Sequence, residues 1–234
     1  MRTLIALALA LLFVQDQPGD QPVPKTGKGW VLMHDGFVEI AKKGGFDVLF
    51  TGDSITDAWR NNPQRKIWDA TFGPLKAANF GISGDRTQHV LWRLQNGEFE
   101  GLTLPKVVVL MIGTNNIGQK DKPEPPASAI AGIQAIVKEI RKKSDHTKIL
   151  LLGVFPRAEK PDDPFRAMVK EINQAASKLD DEGKSVKFLD IGEKFLQPDG
   201  SISKEIMPDF LHLTEKGYQI WADAIKDPLV EMLK

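Results

Sequence analysis

The feature that most constrains the fold is a series of short apolar runs that alternate with longer amphipathic stretches. The apolar runs cover residues 47–50, 76–80, 107–112, 149–154 and 186–189. Stretches with helical spacing of apolar residues cover 30–43, 87–96, 128–143 and 164–182, and a last one starts at Thr214. Continuous apolar strands joined by helices are typical of a parallel sheet covered on both faces and built from right-handed βαβ units. The pattern therefore predicts a three-layer α/β domain.

Composition narrows the class of ligand. The chain has 234 residues, of which 41% are hydrophobic, and 31 Lys and Arg residues balance 31 Asp and Glu residues. These values are ordinary for one globular domain. Because no basic run is interleaved with aromatic residues, nothing favours a nucleic acid or an acidic membrane as partner. We expect a small or neutral ligand. The absence of cysteine excludes disulfides, thiolate catalysis and Cys-ligated metals.

The amino terminus predicts export. Residues 1–15 carry one charge, at Arg2, followed by an apolar stretch that is too short for a comfortable membrane span. We interpret them as a signal peptide, after whose cleavage the protein has no stable membrane insertion. Because no small-x-small triplet follows Val14, an uncleaved anchor is the alternative. Residues 16–29, rich in Pro, Gly and Gln, are predicted to be a flexible lead-in, and residues 30–234 the folded domain.

The first candidate functional residue is Ser54, which follows the first apolar run and a Gly-Asp pair. In open parallel sheets, ligands bind beyond the carboxyl ends of the strands, where this hydroxyl is expected to lie. Two interpretations stay open from the residues alone. Ser54 is either a nucleophile or the first residue of a capping box with Asp57. The motif is not the G-x-S-x-G elbow, since Thr56 stands at the second glycine position.

Two further segments follow predicted strands. Gly81 and Gly84 bracket a turn whose backbone amides could line an oxyanion hole or hold a phosphate, or form only a tight turn. Asp85 and Arg86 are predicted to be turn or helix-start residues, paired with each other. Asn115 follows the third strand, where a side-chain amide could donate to a developing oxyanion. A β-turn is the alternative for that segment.

An acid and an imidazole near the carboxyl terminus could complete a nucleophilic site. Asp209 and His212 are three residues apart, so one turn of chain can bring both side chains to the same side. Imidazole could accept the proton of Ser54 while the carboxylate holds its tautomer. A packed or exposed histidine is the alternative, but its position just before a predicted Thr214 cap favours the rim of the sheet.

The remaining histidines and tryptophans are expected to be structural or solvated. His34 and His89 lie in helical patterns, and His146 lies in a polar loop. No closely spaced ligand set predicts a metal site. For the tryptophans, core packing is favoured over a sugar-stacking surface; these are Trp59, Trp92 and Trp221.

Four blocks in order resemble those of the SGNH, or GDSL, hydrolase superfamily. They are Gly52-Asp53-Ser54, Gly84, Gly113-x-Asn115 and Asp209-x-x-His212. Within it, the chain is similar to the intracellular platelet-activating-factor acetylhydrolase family over roughly residues 46–232, through "NFGISGDRTQHVLWRLQNGEFE", "GTNN", "PRAEKP" and "DFLHLT". The resemblance implies a flavodoxin-like α/β/α sandwich with a five-stranded parallel sheet.

The resemblance also implies roles for individual residues. Ser54 would be the nucleophile, His212 the base and Asp209 the residue that orients it. The backbone amides of Ser54 and Gly84 and the side-chain amide of Asn115 would form the oxyanion hole. No cofactor or metal is implied. The related subunits dimerise, so a homodimer is one alternative, but no segment of the sequence marks an interface and the oligomeric state stays open.

The expected function is that of an exported serine esterase that cleaves short acyl groups, above all acetyl, from an alcohol. The chain differs from the animal subunits by its export signal and, as we interpret it, by an additional helical segment around residues 30–43. Export favours a small-molecule or glycan ester, such as an O-acetylated carbohydrate, as substrate. The alternatives are a phospholipid or thioester acyl hydrolase and, in another class, a noncatalytic flavodoxin-like binding domain.

Overall fold

A computed structural model describes residues 19–101, 103–118 and 124–234. The predicted signal peptide, residues 1–15, lies outside the described residues. Within those ranges, no helix combines the length and the apolar content that a membrane crossing requires.

Five strands form one parallel sheet in the order β2-β1-β3-β4-β5. The strands are β1 (Val48–Gly52), β2 (Ala77–Asn79), β3 (Val107–Met111), β4 (Lys148–Leu152) and β5 (Val186–Leu189). All five predicted strands are present, with ends that differ from the prediction by at most two residues. This order is that of flavodoxin-like sheets, and the predicted α/β class is confirmed. The order reverses between β1 and β3, which places a crevice at their carboxyl ends.

Helices connect the strands and flank the sheet. They are α1 (Lys28–Lys43), α2 (Ser54–Asp57), α3 (Gln64–Thr71), α4 (Thr87–Arg93), α5 (Thr114–Ile117), α6 (Pro126–Lys143), α7 (Pro164–Ala176) and α8 (Glu215–Met232). Two of them end earlier than predicted. After α4 the chain continues as a π-helical turn over Leu94–Glu98, within which Asn96 (φ −119°, ψ 48°) already leaves helical geometry. Beyond α7, a short 3-10 turn over 177–179 leads into extended backbone at Asp180.

The core consists of two apolar layers, one on each face of the sheet. Side chains alternate along each strand, so that Leu49 and Val108 face one layer while Phe50 and Val109 face the other. The first layer packs against α1, α4, α6 and α7, and the second against α3 and α8. The sheet is therefore covered on both faces, and its carboxyl edge is the place left for a site.

The described part of the predicted lead-in lies against the domain. The helix α1 begins at Lys28, two residues before the predicted domain start. The backbone N–H of Gly19 donates to Ser128 Oγ at 3.0 Å, and that of Val23 donates to the carbonyl of Gln88 at 3.2 Å. These bonds tie residues 19–27 to the face of the sheet that carries α4 and α6.

Candidate active site

Ser54 begins α2 directly at the carboxyl end of β1. The capping role belongs to its neighbour, because the carboxylate of Asp53 accepts the backbone N–H of Ile55 at 3.0 Å. The Ser54 hydroxyl instead lies 2.9 Å from Nε2 of His212. Asp57, the other residue of the proposed capping box, binds Arg60 and Ser83. The capping interpretation of Ser54 is therefore wrong.

His212 joins Ser54 to Asp209. Nδ1 of the ring lies 2.7 Å from Oδ2 of Asp209, whose Oδ1 accepts the backbone N–H of His212 at 2.7 Å and that of Leu211 at 3.1 Å. A carboxylate beside Nδ1 favours the proton on that nitrogen, which leaves the lone pair of Nε2 facing the Ser54 hydroxyl. The three side chains form one hydrogen-bonded chain across 158 residues of sequence.

This arrangement favours the ionised form of Asp209. Partial burial works against the charged form, but hydrogen bonds from the ring and the backbone of His212 outweigh it and keep the pKa of Asp209 below its ordinary value. The side chains of His212 and Asp209 are 44% and 54% exposed. The chain of hydrogen bonds therefore lies at a rim that is open to solvent at its His212 and Asp209 end.

Gly84 and Asn115 lie at the same edge, Gly84 on the turn that follows β2 and Asn115 in α5, which follows β3. Gly84 has φ +74°, in the left-handed region that favours glycine. Asn115 Nδ2 donates one hydrogen to the backbone carbonyl of Asp85 at 2.8 Å, so the other hydrogen of that amide is left for a further acceptor. Neither the N–H of Ser54 nor that of Gly84 donates to an acceptor among the described residues. Three donors are thus available at this edge.

Asp53 has an unusual environment beside the nucleophile candidate. It is fully buried, and its Oδ2 has no hydrogen-bond partner in the described part of the chain. Burial raises the pKa of this carboxyl from 3.8 to about 7, with a smaller contribution in the same direction from Asp85 and an opposing one from the N–H of Ile55. The group can therefore hold a proton near neutral pH.

The predicted pairing of Asp85 with Arg86 is wrong, because each of them binds another residue. Asp85 binds Arg93 at 2.9 Å, and Arg86 binds Glu124. Both ion pairs join residues that are separated along the chain. Arg93 is completely buried between Asp85 and Glu98, where a cation requires opposite charges.

The other histidines have the structural or solvated places expected of them. His34 binds Glu98 at 2.9 Å in the core. His89 accepts the N–H of Arg86 at 2.9 Å, and burial lowers its pKa to about 4. The side chain of His146 is 95% exposed.

The tryptophans lie in the packed interior. Trp59 and Trp221 are fully buried and contact each other, so the prediction of core packing is confirmed for both. Trp92 is half-buried beside Trp30 and His34. In the ranges given above, no group of three or more acidic, His or Cys side chains could hold a metal ion.

Sequence reasoning missed the supporting roles of residues around the site. The capping role of Asp53 could have been found from the preference of Asp for helix N-caps. Lys25, Trp30 and Arg93 all contact the carboxylate of Asp85. Their spacing in the sequence follows no helix or strand period, and therefore carried no signal of this contact.

Comparison with known proteins agrees with the geometry. The model of the GDSL-like lipase/acylhydrolase family matches residues 50–220. The platelet-activating factor acetylhydrolase IB subunit alpha2 of Rattus norvegicus is 41% identical over 206 residues, which cover 88% of this chain and 85% of that protein. A match over 206 residues is longer than the stretch from residue 44 to residue 234 that follows α1, so the match also includes residues of α1. The interpretation of residues 30–43 as an addition absent from these relatives is therefore wrong.

Solved structures share the fold. A GDSL-like lipase from Bacteroides thetaiotaomicron superposes with a TM-score of 0.66 at 21% identity, covering 86% of this chain and 97% of that one. An acetylxylan esterase from Geobacillus stearothermophilus superposes with a TM-score of 0.60 at 22% identity, covering 81% and 94%. At these identities the likeness concerns the fold alone.

Proposed function

This chain belongs to the GDSL-like lipase/acylhydrolase family and is a carboxylic ester hydrolase, and we propose that it is a serine esterase acting on short acyl esters, above all acetyl. The observation that carries the proposal is the hydrogen-bonded chain from Ser54 through His212 to Asp209. The alternative of a noncatalytic binding domain is set aside, because the family membership is that of hydrolases.

In the acylation step, Ser54 Oγ attacks the ester carbonyl while its proton passes to Nε2 of His212. Asp209 stabilises the imidazolium and holds the ring in position. Collapse of the tetrahedral intermediate breaks the bond to the alcohol, which leaves with the proton returned by His212. The enzyme then carries the acyl group on Ser54.

Deacylation repeats the proton path with water. His212 accepts a proton from water as its oxygen attacks the acyl carbonyl, and then returns that proton to Ser54 Oγ as the acid leaves. One ester and one water give one acid and one alcohol. The reaction needs no cofactor or metal.

The negative oxygen of each intermediate is the group that the three donors at the rim would bind. These are the N–H groups of Ser54 and Gly84 and the amide of Asn115. Two of them are backbone groups, one at the first residue of α2 and one on the turn after β2, and the third is oriented by its hydrogen bond to the carbonyl of Asp85. Donors that are already oriented need little rearrangement when the charge develops, which is why such arrangements lower reaction barriers.

For the acyl group, support comes from the relatives at 41% identity, which are acetylhydrolases. For the alcohol, the half-exposed rim at His212 and Asp209 can accommodate a bulky molecule, and the export expected from residues 1–15 favours an O-acetylated carbohydrate. A second candidate, an acetylated phospholipid, is favoured because the same relatives are platelet-activating factor acetylhydrolases.

A substrate panel tests the proposal. We expect p-nitrophenyl acetate to be hydrolysed faster than the butyrate and octanoate esters, and acetylated xylooligosaccharides to be deacetylated faster than an acetyl phospholipid. Ser54→Ala serves as the control for each substrate. A preference for the phospholipid would support the second candidate, and a preference for long acyl chains would contradict the acetyl assignment.

Light scattering of the purified protein tests whether it forms a homodimer, as the related subunits do.

A further inference from the structure

Asp85 connects two of the three proposed oxyanion donors. Its backbone follows Gly84 directly, and its carbonyl oxygen accepts the side-chain N–H of Asn115 at 2.8 Å. The position of this one residue therefore affects the Gly84 amide, which lies one residue before it, and the orientation of the Asn115 amide. Contacts that hold Asp85 help to hold these two donors.

The carboxylate of Asp85 is completely buried and is bound from two directions. Arg93, on α4, contacts Oδ2 at 2.9 Å. On the other side, Oδ1 accepts the indole N–H of Trp30 at 2.8 Å and lies 3.1 Å from Nζ of Lys25. A buried carboxylate is stable in one position only when such partners satisfy it.

Two of these three partners belong to the amino-terminal segment, residues 19–43, which contributes no strand to the sheet. Lys25 precedes α1 and also donates to the backbone carbonyl of Ser83 at 3.4 Å. Trp30 lies in the first turn of α1, stacked on His34 and buried. The amino-terminal segment thus contacts the turn over 83–85 at two places, the backbone carbonyl of Ser83 and the carboxylate of Asp85.

We propose that Lys25 and Trp30 are positioning residues of the active site. They hold Asp85 in place, and Asp85 in turn holds the donors at Gly84 and Asn115. The inference rests on the proposed function, because it assigns a cause to the placement of the oxyanion donors. Without the two contacts, Asp85 keeps Arg93 on Oδ2, but on Oδ1 only the ring of His89 remains, at 3.9 Å, so the carboxylate is held less firmly on that side. The donors at Gly84 and Asn115 would then shift with it.

The test combines Lys25→Met with Trp30→Phe, which removes both contacts and keeps the bulk of each side chain. The matched controls are Lys28→Met, at an exposed lysine of the same segment, and Trp92→Phe. Trp92 lies in the same aromatic cluster as Trp30 and makes no hydrogen bond to Asp85. All variants are compared by circular dichroism and thermal melting before their kinetics on p-nitrophenyl acetate are measured.

We expect the double variant to lose about tenfold or more in kcat with KM changed by less than about twofold, because the lost interaction acts mainly in the transition state. The kcat of each control should stay within about twofold of wild type, because both controls keep the two contacts with Asp85. In an Asn115→Ala background the same double change should cost only about threefold or less, since one of the donors that it displaces is already absent. A structural defect alone would give the full loss in both backgrounds.

Three outcomes would overturn the inference. They are wild-type kcat in the double variant, a loss shared by the two controls, and equal losses with and without Asn115. If the double variant is poorly folded, the single Lys25→Met variant, at a side chain that is 27% exposed, carries the same comparison. If Ser54→Ala is inactive and the double variant has wild-type kcat, this inference alone is refuted. If Ser54→Ala is active, the proposed function is refuted together with it.

Discussion

Replacing Asp53 by Asn should stabilise the protein at alkaline pH. Asp53 is fully buried, its Oδ1 accepts the N–H of Ile55, and its Oδ2 has no partner among the described residues. Asn keeps an oxygen for Ile55 and has nearly the same shape as the protonated acid. The substitution therefore changes little except the possibility of a buried negative charge.

The size of the effect follows from the raised pKa. Burial moves the pKa of Asp53 from 3.8 to about 7. At 1.36 kcal/mol per pKa unit, the buried charge costs on the order of 4 kcal/mol once the folded state is fully ionised. Between pH 3.8 and about 7 the unfolded state has lost the proton and the folded state retains it, so the free energy of unfolding falls as pH rises. Above pH 7 the cost is constant.

Urea unfolding of wild type and Asp53→Asn at pH 5 and pH 8 measures this term. We expect the difference between the two proteins to change by about 3 kcal/mol over this range, in favour of the variant at pH 8. Asp35→Asn, at an exposed carboxylate, is the matched control and should show no such change. Parallel stability profiles of wild type and Asp53→Asn would refute the reasoning, since they would mean that Asp53 is ionised in the folded protein throughout.

Three further substitutions have expected effects. Asn115→Ala should lower kcat for p-nitrophenyl acetate by a factor on the order of 10² to 10³ with an unchanged melting temperature, and full activity would exclude Asn115 from the mechanism. Asp209→Asn should lower kcat on the order of 10⁴-fold, because the amide leaves the ring of His212 in the wrong tautomer, and a loss of less than tenfold would contradict that role. Tyr218→Phe should lower the free energy of unfolding by about 1 to 3 kcal/mol in urea titration, because the buried hydroxyl donates to the Ile55 carbonyl at 2.6 Å. A thermodynamically neutral Tyr218→Phe would show that this carbonyl finds another donor.

The architecture and the location of the site could be predicted because both depend on local patterns. Five apolar runs are long enough to be strands, and parallel topology brings their carboxyl ends to one edge. Ser54 and Asn115 follow two of those strands, and His212 reaches the same edge from the segment before α8. The structure brings Ser54, Asp209 and His212 together as the motifs predicted.

The contacts that support the site could not be predicted from local patterns. Ser54 and Asp53 are both good capping residues, and only the three-dimensional arrangement shows that Asp53 takes the cap. The ligands of Asp85 come from residues that precede the sheet and from α4. Such long-range partners are selected by packing, and this is also why the adjacent pair of Asp85 and Arg86 was the wrong expectation.

The most direct test of the central claim is the rate of p-nitrophenyl acetate hydrolysis by wild type and Ser54→Ala at equal concentration and equal folded content. A nucleophilic role for Ser54 predicts that the variant loses nearly all activity, on the order of 10⁶-fold by analogy with other triads. Equal rates in the two proteins would contradict the account, because the hydrogen bond between Ser54 and His212 would then have no part in catalysis.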